Sequence, residues 1–187
     1  MLIKLKGTFI CIIIWTCIFI LNKHLKLIDV LSSKGISNLG SAYYRLFTGA
    51  LLHVNIMHLL ANIFAMFWVG DFLEQSLGSM KMILFILCAT FITNFIFSCL
   101  YKDATSVIGG SVCVFACIGL IIALQIFKPD FPRFHLGTWY GNWILIYSIA
   151  SNFPIMSFMN YTTVKIHVIA LVTGILLGSA GILLSLL

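Results

Sequence analysis

The chain has 187 residues, of which 61% are hydrophobic and only 9% are charged, against about 25% charged residues in ordinary soluble domains. This composition excludes a soluble fold, because too few polar side chains remain to cover a surface in water, so lipid must be the solvent. The net charge of +6 is scattered over the loops without a basic stripe and interleaved aromatics, which favours contact with the lipid bilayer and argues against nucleic-acid binding.

Apolar runs of about 20 residues predict membrane-spanning helices, because backbone groups in hydrocarbon must pair within their own segment. Six such runs predict an all-α membrane protein in which residues 1–187 form a single domain. The predicted spans are Gly7–Leu21, His53–Gly70, Met82–Leu100, Ser111–Phe127, Trp139–Phe153 and Val164–Leu187. A small transporter or channel is one alternative, but such proteins usually show repeats and helices broken at the midplane, and this sequence shows neither.

The first predicted span has some features of a secretory signal peptide, since Lys4 and Lys6 precede it. The segment that follows, 21–26, is basic and bulky and offers no small-residue cleavage site, so we expect a retained helix. Charge leaves the orientation open. With the N-terminus inside, five Lys and Arg residues lie inside and six outside, and the positive-inside rule does not decide.

Two polar residues of the second predicted span share one helix face, since His58 and Asn62 lie four residues apart. Polar side chains at membrane depth are costly and usually mark a functional site. Both side chains donate hydrogen bonds, so they are candidates for stabilising an oxyanion. The alternative is structural, because Asn and His also hydrogen-bond neighbouring helices. His53 lies nearer the water boundary, where packing at a helix end is the expected role.

The fourth predicted span begins at a serine. Gly109 and Gly110 break any helix that arrives from the preceding loop, so we expect the helix to start at Ser111. The start of a helix has unsatisfied backbone N–H groups and positive partial charge, which favour an oxyanion. Ser111 can therefore offer its N–H as well as its hydroxyl. A plain serine N-cap is the alternative interpretation.

The sixth predicted span contains His167 near its start, followed by a stripe of small residues that lets helix backbones approach closely. The stripe consists of Ala170, Gly174 and Gly178. The fourth span presents a comparable face, formed by Ser111, Phe115, Ala116 and Gly119. Packing these two faces together would bring Ser111 within hydrogen-bond range of His167 and place Phe115 against the imidazole. A histidine that is satisfied within tight packing is the alternative.

A serine that reaches a histidine is the minimum equipment for acyl-transfer hydrolysis, with the histidine as general base and then general acid. None of the five acidic residues lies near these motifs, so we expect a Ser111–His167 dyad without a carboxylate, its ring oriented by aromatic or backbone contacts. No CxxC pair occurs, and Cys113 and Cys117 are better explained by helix packing than by metal binding. We expect neither a metal nor a cofactor.

In their order along six helices, these residues resemble the rhomboid family of intramembrane serine proteases, from roughly Arg45 to Gly178. The matching segments are Tyr44–Arg45, His53 with His58 and Asn62, Glu74 with Leu77–Ser79, Gly109–Ser111, and His167 with its small-residue stripe. The resemblance implies a rhomboid-like bundle of six transmembrane helices. It implies that Ser111 is the nucleophile, that His167 is the base, and that Asn62, His58 and the Ser111 N–H form the oxyanion hole.

The resemblance also implies partners and a location. The expected substrates are membrane proteins cleaved in or near a transmembrane helix that unwinds easily, often after a small residue. They would approach a gate near the fifth helix, at Trp139 and Trp143, and water would reach a site sunk below the extracellular face. The N-terminus is expected in the cytoplasm. The minimal six-span plan without an organellar presequence favours a bacterial plasma membrane.

The sequence departs from the family pattern at three places. Val112 stands where the motif usually has glycine, which puts substrate size and catalytic rate in doubt. Tyr44 replaces the usual tryptophan, and Lys165 lies unexpectedly close to His167, where we expect its amine to reach towards water. Val112 is the best support for the alternative function, a rhomboid-like pseudoprotease that binds membrane-protein clients without cleaving them.

Overall fold

The computed structural model describes residues 6–133, 135, 137–152 and 161–187, and within them the regular structure is helical apart from one bridge between Ser33 and Val107. The longer helices are α1 (Lys6–Leu25), α5 (Ile56–Leu77), α6 (Ser79–Leu100), α7 (Ser111–Phe127), α8 (Trp139–Ala150) and α9 (Tyr161–Leu183). Three short helices lie between α1 and α5, namely α2 (Leu27–Leu31), α3 (Ile36–Leu39) and α4 (Arg45–Thr48), and a 3₁₀ turn follows at Gly49–Leu51.

Four helices of the described chain, α1, α5, α6 and α9, are long and apolar enough to cross a membrane. The helices α7 and α8 are also apolar but shorter. An exposed belt of large hydrophobic side chains, including Ile13 on α1 and Leu176 on α9, completes the features of a multi-pass membrane protein. The all-helical class predicted from the sequence is confirmed.

Several predicted span boundaries are wrong by a few residues, although Ser111–Phe127 agrees with α7. The second span was placed at His53–Gly70, but α5 begins at Ile56 because the Asn55 side chain caps it, accepting the His58 N–H at 2.8 Å. At its other end α5 runs beyond the apolar run to Leu77. Gly78, with φ of 80°, then separates α5 from α6.

Helices α1, α6 and α9 extend into polar residues that flank their apolar runs, whereas α8 and α9 end before the predicted C-terminal boundaries. The helix α1 passes the predicted end at Leu21 and stops at Leu25, and α6 begins at Ser79 rather than Met82. The sixth span was placed at Val164–Leu187, whereas α9 covers Tyr161–Leu183. The predicted end of the fifth span, Phe153, lies outside the described residues, and α8 ends at Ala150.

The centre of the bundle is α7, which is buried along most of its length, and α9 packs against it more extensively than any other helix. The contact is made by backbone, because a methyl group on Gly174 would collide with the Ala116 carbonyl oxygen. A methyl group on Gly119 would likewise collide with the Leu171 carbonyl oxygen. The two small-residue faces identified in the sequence therefore meet, and they bring the starts of α7 and α9 together.

At the opposite end of α5 from His58, a buried carboxylate fixes α1. Glu74 accepts the N–H groups of Gly7 at 2.6 Å and Thr8 at 3.0 Å, together with the Thr8 hydroxyl at 2.7 Å. The Ser79 hydroxyl donates to the same carboxylate from the start of α6. Because a carboxylate satisfies the free N–H groups of a helix N-terminus, Glu74 joins α1, α5 and α6.

The contact between α7 and α9 predicts a graded response to small substitutions. Gly174→Ala places a methyl group against the rigid carbonyl of Ala116, so α9 must move away, and we expect a loss of about 1–3 kcal/mol in the free energy of unfolding. Gly178→Ala is the control and should lose less, since its methyl group would meet the flexible end of Leu120 at 2.9 Å and the Ala123 methyl group at 3.0 Å, rather than a backbone carbonyl at collision distance. Thermal unfolding in detergent measures both, and equal losses would contradict the proposed backbone contact.

Candidate active site

Polar side chains near the ends of α5, α7, α8 and α9 gather at one end of the bundle. Ser111 is the first residue of α7, His58 lies in the first turn of α5, and His167 lies in the second turn of α9. Asn152 follows the C-terminal end of α8. This arrangement follows from the antiparallel course of α7 and α8, which brings the start of α7 and the end of α8 to the same end of the bundle.

Ser111 and His167 are in direct contact across the α7–α9 interface. The Ser111 Oγ lies 2.9 Å from His167 Nε2, at hydrogen-bond distance. Both residues are almost fully removed from the surface, with 7% of Ser111 and 3% of His167 exposed. The serine is therefore held beside a base in a largely water-free position, which is the geometry needed to activate a hydroxyl.

The imidazole of His167 is held by an aromatic ring on one face and by a polar side chain at its second nitrogen, Nδ1. Phe115 stacks on the ring with centroids 4.2 Å apart and planes inclined by 19°, as the sequence predicted. The Asn152 Oδ1 lies 3.0 Å from His167 Nδ1. The Asn152 contact was missed, since only aromatic or backbone contacts were expected to orient the ring.

His58 and Ser111 both pack closely against residue 109, which is a glycine. A methyl group on Gly109 would lie 3.1 Å from His58 Nε2 and 3.3 Å from Ser111 Oγ. The backbone there has φ of 139°, a conformation that favours glycine. Glycine at this position therefore lets the His58 imidazole and the Ser111 hydroxyl lie directly against the backbone of the turn.

Asn62 joins this cluster through a residue that the sequence did not indicate. Its Oδ1 accepts the Tyr147 hydroxyl at 2.8 Å, and its Nδ2 donates to the His58 carbonyl at 2.8 Å. Tyr147 in turn packs on Phe115, with centroids 5.6 Å apart. Among the contacts of the described residues, Asn62 has no direct hydrogen bond to Ser111. Tyr147 and Phe115 lie between Asn62 and the Ser111–His167 pair.

The glycine turn before Ser111 is anchored from two sides. The Gly109 N–H donates to the Gly49 carbonyl at 3.1 Å, and the nearby bridge between Ser33 and Val107 ties the same loop to the segment after α2. On the other side, the Trp15 indole packs so closely on Gly110 that a methyl group there would lie 2.6 Å from it. The start of α7 is thus fixed by α1 and by the loops.

His53 lies just before the start of α5, where packing at a helix end was expected, and only 1% of the residue is exposed. The chain before α5 folds back, so that the His53 ring packs against Trp15 and His58, with centroids 5.4 and 5.1 Å away. Its Nε2 accepts the Gly110 N–H at 3.4 Å. Burial lowers the pKa of His53 to about 3, and the neighbouring His58 adds to the effect, so the ring stays neutral.

The departures from the family pattern leave the central contact intact. Val112 is buried, with 3% exposed, and the serine beside it still reaches His167. The Lys165 amine lies over the Tyr101 ring, 4.8 Å from its centroid, where the cation is stabilised by the aromatic face. Among the described residues, no group of three or more His, Cys, Asp or Glu side chains is arranged to hold a metal ion.

Asn152 and Tyr147 are the two site residues that sequence reasoning missed. Both residues lie within the predicted fifth span. A polar side chain at membrane depth usually marks a functional site, and this argument, used for His58 and Asn62, applies equally to them. Neither residue stands in a recurring sequence pattern with a partner residue. The only signal in the sequence was therefore the energetic cost of placing a polar side chain in lipid.

Comparison with known proteins gives one result that covers most of the chain. A family model described as the Rhomboid domain matches residues 40–185, which include Ser111, His167, His58 and Asn62. No curated protein sequence matches the chain significantly.

The burial of His53 predicts an acid-dependent loss of stability. An unfolded histidine has a pKa of about 6.5, so below that pH the unfolded chain binds a proton that folded His53, with its pKa of about 3, does not. Stability should therefore fall as the pH drops from about 6.5 towards 3. His53→Gln cannot be protonated and should lose less thermal stability than the wild type between pH 7 and pH 4.5. An identical loss in both proteins would contradict a neutral, buried His53.

Proposed function

The chain belongs to the rhomboid family, since the matching family model covers well over half of its length, and on this premise we propose that it is an intramembrane serine endopeptidase. Its substrates are transmembrane segments of other membrane proteins. The observation that carries the proposal is the buried contact of 2.9 Å between His167 Nε2 and Ser111 Oγ.

The proposed reaction uses Ser111 and His167 as a dyad. As Ser111 Oγ attacks the carbonyl carbon of the scissile peptide bond, its proton passes to His167 Nε2, and an oxyanion forms on the carbonyl oxygen. The imidazolium then protonates the leaving amine, and an ester remains on Ser111. Water, deprotonated by the same nitrogen, hydrolyses the ester and restores the hydroxyl. General acid–base catalysis of this kind typically contributes about 10²–10⁴-fold in rate.

Three donors are proposed to stabilise the oxyanion. The Ser111 N–H lies in the first turn of α7, where backbone N–H groups have no acceptor within the helix and the helix dipole favours negative charge. His58 Nε2 and Ser111 Oγ both lie beside Gly109, so the imidazole is close to the nucleophile. The hydrogen bonds of the described residues use one of the two amide N–H groups of Asn62, and Tyr147 holds the oxygen of that amide. Each such donor typically contributes about 10²–10³-fold.

Helix lengths support a site below the membrane surface. We propose that α7 and α8 also cross the bilayer, giving six crossings with the N-terminus in the cytoplasm of a bacterial cell. The 17 residues of α7 measure about 26 Å, less than the roughly 30 Å of hydrocarbon, whereas the 22 residues of α5 measure about 33 Å. A short α7 that reaches the cytoplasmic boundary leaves Ser111 sunk below the opposite one.

The proposed path for a substrate lies between α5 and α8. These helices meet through tilted or edge-on aromatic pairs: Phe64 with Trp143 at 5.9 Å, and Trp68 with Trp139 at 5.7 Å between centroids. Such pairs contribute only about 0.5–1.5 kcal/mol each beyond their buried area, and lipid or a substrate helix can replace their apolar contact. A transmembrane segment that separates them would arrive beside Tyr147 and the dyad.

The dyad predicts the reactivity of Ser111 towards a serine-directed probe. The wild type in detergent should be labelled by a fluorophosphonate and should cleave a fluorescent transmembrane model substrate. Ser111→Ala and His167→Ala should lose both activities. Ser111→Ala removes a single oxygen atom and should keep the thermal stability of the fold, whereas His167→Ala leaves a cavity beside Phe115 and should lower the thermal stability of a protein that still folds. Gel fluorescence and mass spectrometry of the labelled peptide measure the outcome.

Ser179→Ala is the matched control, because the Ser179 hydroxyl bonds its own helix, donating to the Ile175 carbonyl at 2.8 Å. It should leave labelling and cleavage unchanged. A folded wild type that stays unlabelled and uncleaving, yet co-purifies with transmembrane clients, would replace the protease with the client-binding pseudoprotease. Full activity in His167→Ala would refute the dyad.

The close packing around Gly109 yields a further prediction. Gly109→Ala places a methyl group 3.1 Å from His58 Nε2 and 3.3 Å from Ser111 Oγ, at a φ that favours glycine, so both side chains must shift. We expect the cleavage rate to fall by about 10²-fold or more, as for the loss of one oxyanion donor. Gly40→Ala is the control, since Gly40 also has a positive φ, 57°, but a methyl group there meets nothing within 4 Å. If both variants retain wild-type rates, the positions of His58 and Ser111 do not depend on glycine at residue 109.

A further inference from the structure

The second ring nitrogen of His167 has a partner that the dyad alone does not require. Asn152, just beyond the end of α8, places its Oδ1 3.0 Å from His167 Nδ1, on the far side of the ring from Ser111. Asn152 is half-buried, and its backbone N–H is used in the helix end, donating to the Ile149 carbonyl at 3.0 Å. Its side chain is therefore positioned by the terminus of α8.

The orientation of the Asn152 amide is fixed by its own nitrogen. Its Nδ2 donates to the Ser148 carbonyl at 2.8 Å, one helical turn earlier. A carbonyl oxygen only accepts, so the amide nitrogen must face Ser148 and the amide oxygen must face His167. An asparagine without such an anchor could turn over and donate to the imidazole instead. Here the Ser148 bond makes the residue an acceptor towards Nδ1.

An acceptor at Nδ1 selects one tautomer of the ring. The proton of neutral His167 then resides on Nδ1, where it is donated to Asn152, and Nε2 carries the lone pair that faces Ser111 Oγ. The opposite tautomer would direct an N–H at the serine and could not receive its proton. A serine hydrolase whose third residue leaves the wrong tautomer loses about 10⁴-fold in kcat.

Stacking on Phe115 cannot make this selection. Turning the imidazole by 180° about its Cβ–Cγ bond keeps its plane, and therefore the stacking contact, but exchanges nitrogen and carbon at the ring edge. Only a polar group at the edge distinguishes the two orientations. Phe115 and Asn152 thus have complementary effects: Phe115 fixes the plane of the ring, and Asn152, together with the Ser151 carbonyl that also accepts from His167, fixes its rotation and its proton.

We propose that Asn152 is a positioning residue that turns the dyad into an ordered Asn152–His167–Ser111 relay, an inference that rests on the proposed function. When Ser111 loses its proton to Nε2, the ring becomes a cation, and its Nδ1–H bond to Asn152 becomes a charge-assisted hydrogen bond, which is stronger than a neutral one. No proton reaches the amide. Asn152 acts only by orienting the ring and favouring its charged form.

The test uses the whole protein in detergent with ¹⁵N-labelled histidine. NMR shifts of the ring nitrogens report the tautomer, and a His167→Gln variant identifies the His167 signals among those of the five histidines. The variants are Asn152→Leu, which has a similar size and no acceptor, and Asn152→Asp, which keeps the acceptor. Asn38→Leu is the control, because Asn38 also donates its Nδ2 to backbone carbonyls, those of Asp103 and Ala104, but its side chain is exposed and lies on α3.

We expect Nδ1–H in wild-type His167, a mixture in Asn152→Leu, and recovery of Nδ1–H in Asn152→Asp. The maximal rate of inactivation by a fluorophosphonate should fall about 10- to 100-fold in Asn152→Leu, with little change in the half-saturating concentration and partial recovery in Asn152→Asp. Asn38→Leu should match the wild type in both measurements.

Two results would overturn the inference. An Nε2–H tautomer in the wild type would do so without any variant, and so would an Asn152→Leu protein that keeps the wild-type tautomer and inactivation rate. These results are distinct from failure of the proposed function. A wild type that resists the fluorophosphonate refutes the protease, whereas the NMR spectrum still decides whether Asn152 orders the His167 ring.

Discussion

The arrangement of this protein depends on direct contact between the backbones of α7 and α9. Helices in lipid gain little from burying apolar side chains, so close approach at small residues is what holds such a pair together. Gly174 faces the Ala116 carbonyl with no room for a methyl group. About two helical turns away, this approach sets the 2.9 Å between Ser111 Oγ and His167 Nε2. A helix pair separated by the width of larger side chains would leave the serine and the histidine out of reach.

The helix α8 is attached differently, through polar contacts that end at the site. Tyr147 donates to Asn62, and Asn152 accepts from His167. The C-terminal end of α8 therefore contacts both the proposed oxyanion hole and the proposed dyad. The rest of its contact with α5 includes aromatic rings whose interaction is easily exchanged for lipid. A displacement of α8 would therefore loosen both the Asn62 amide and the His167 imidazole. Entry of a substrate beside α8 would thus affect how well the residues proposed to cleave it are ordered.

The sequence was sufficient for features that depend on one helix or on a repeated spacing. The glycine break placed Ser111 at the start of α7, and the recurrence of Ala170, Gly174 and Gly178 predicted the face that α9 turns to α7. Features that depend on how separate segments fold back were not predictable. His53 is buried because loops and α1 close over it, and Asn152 meets His167 only because the end of α8 lies beside α9. Neither relation leaves a periodic signal.

The use of an amide rather than a carboxylate beside His167 agrees with the cost of charge in this bundle. Where the fold does bury a carboxylate, at Glu74, four donors from α1 and α6 surround it. A buried charge with fewer partners is strongly destabilising, and among the described residues the polar partners of the Asn152 side chain are the His167 N–H and the Ser148 carbonyl. An aspartate at residue 152 would place a carboxylate oxygen, which only accepts hydrogen bonds, against the Ser148 carbonyl oxygen, which also only accepts. A neutral amide satisfies both neighbours at once, so it orders the base without requiring a charge that the surrounding helices cannot stabilise.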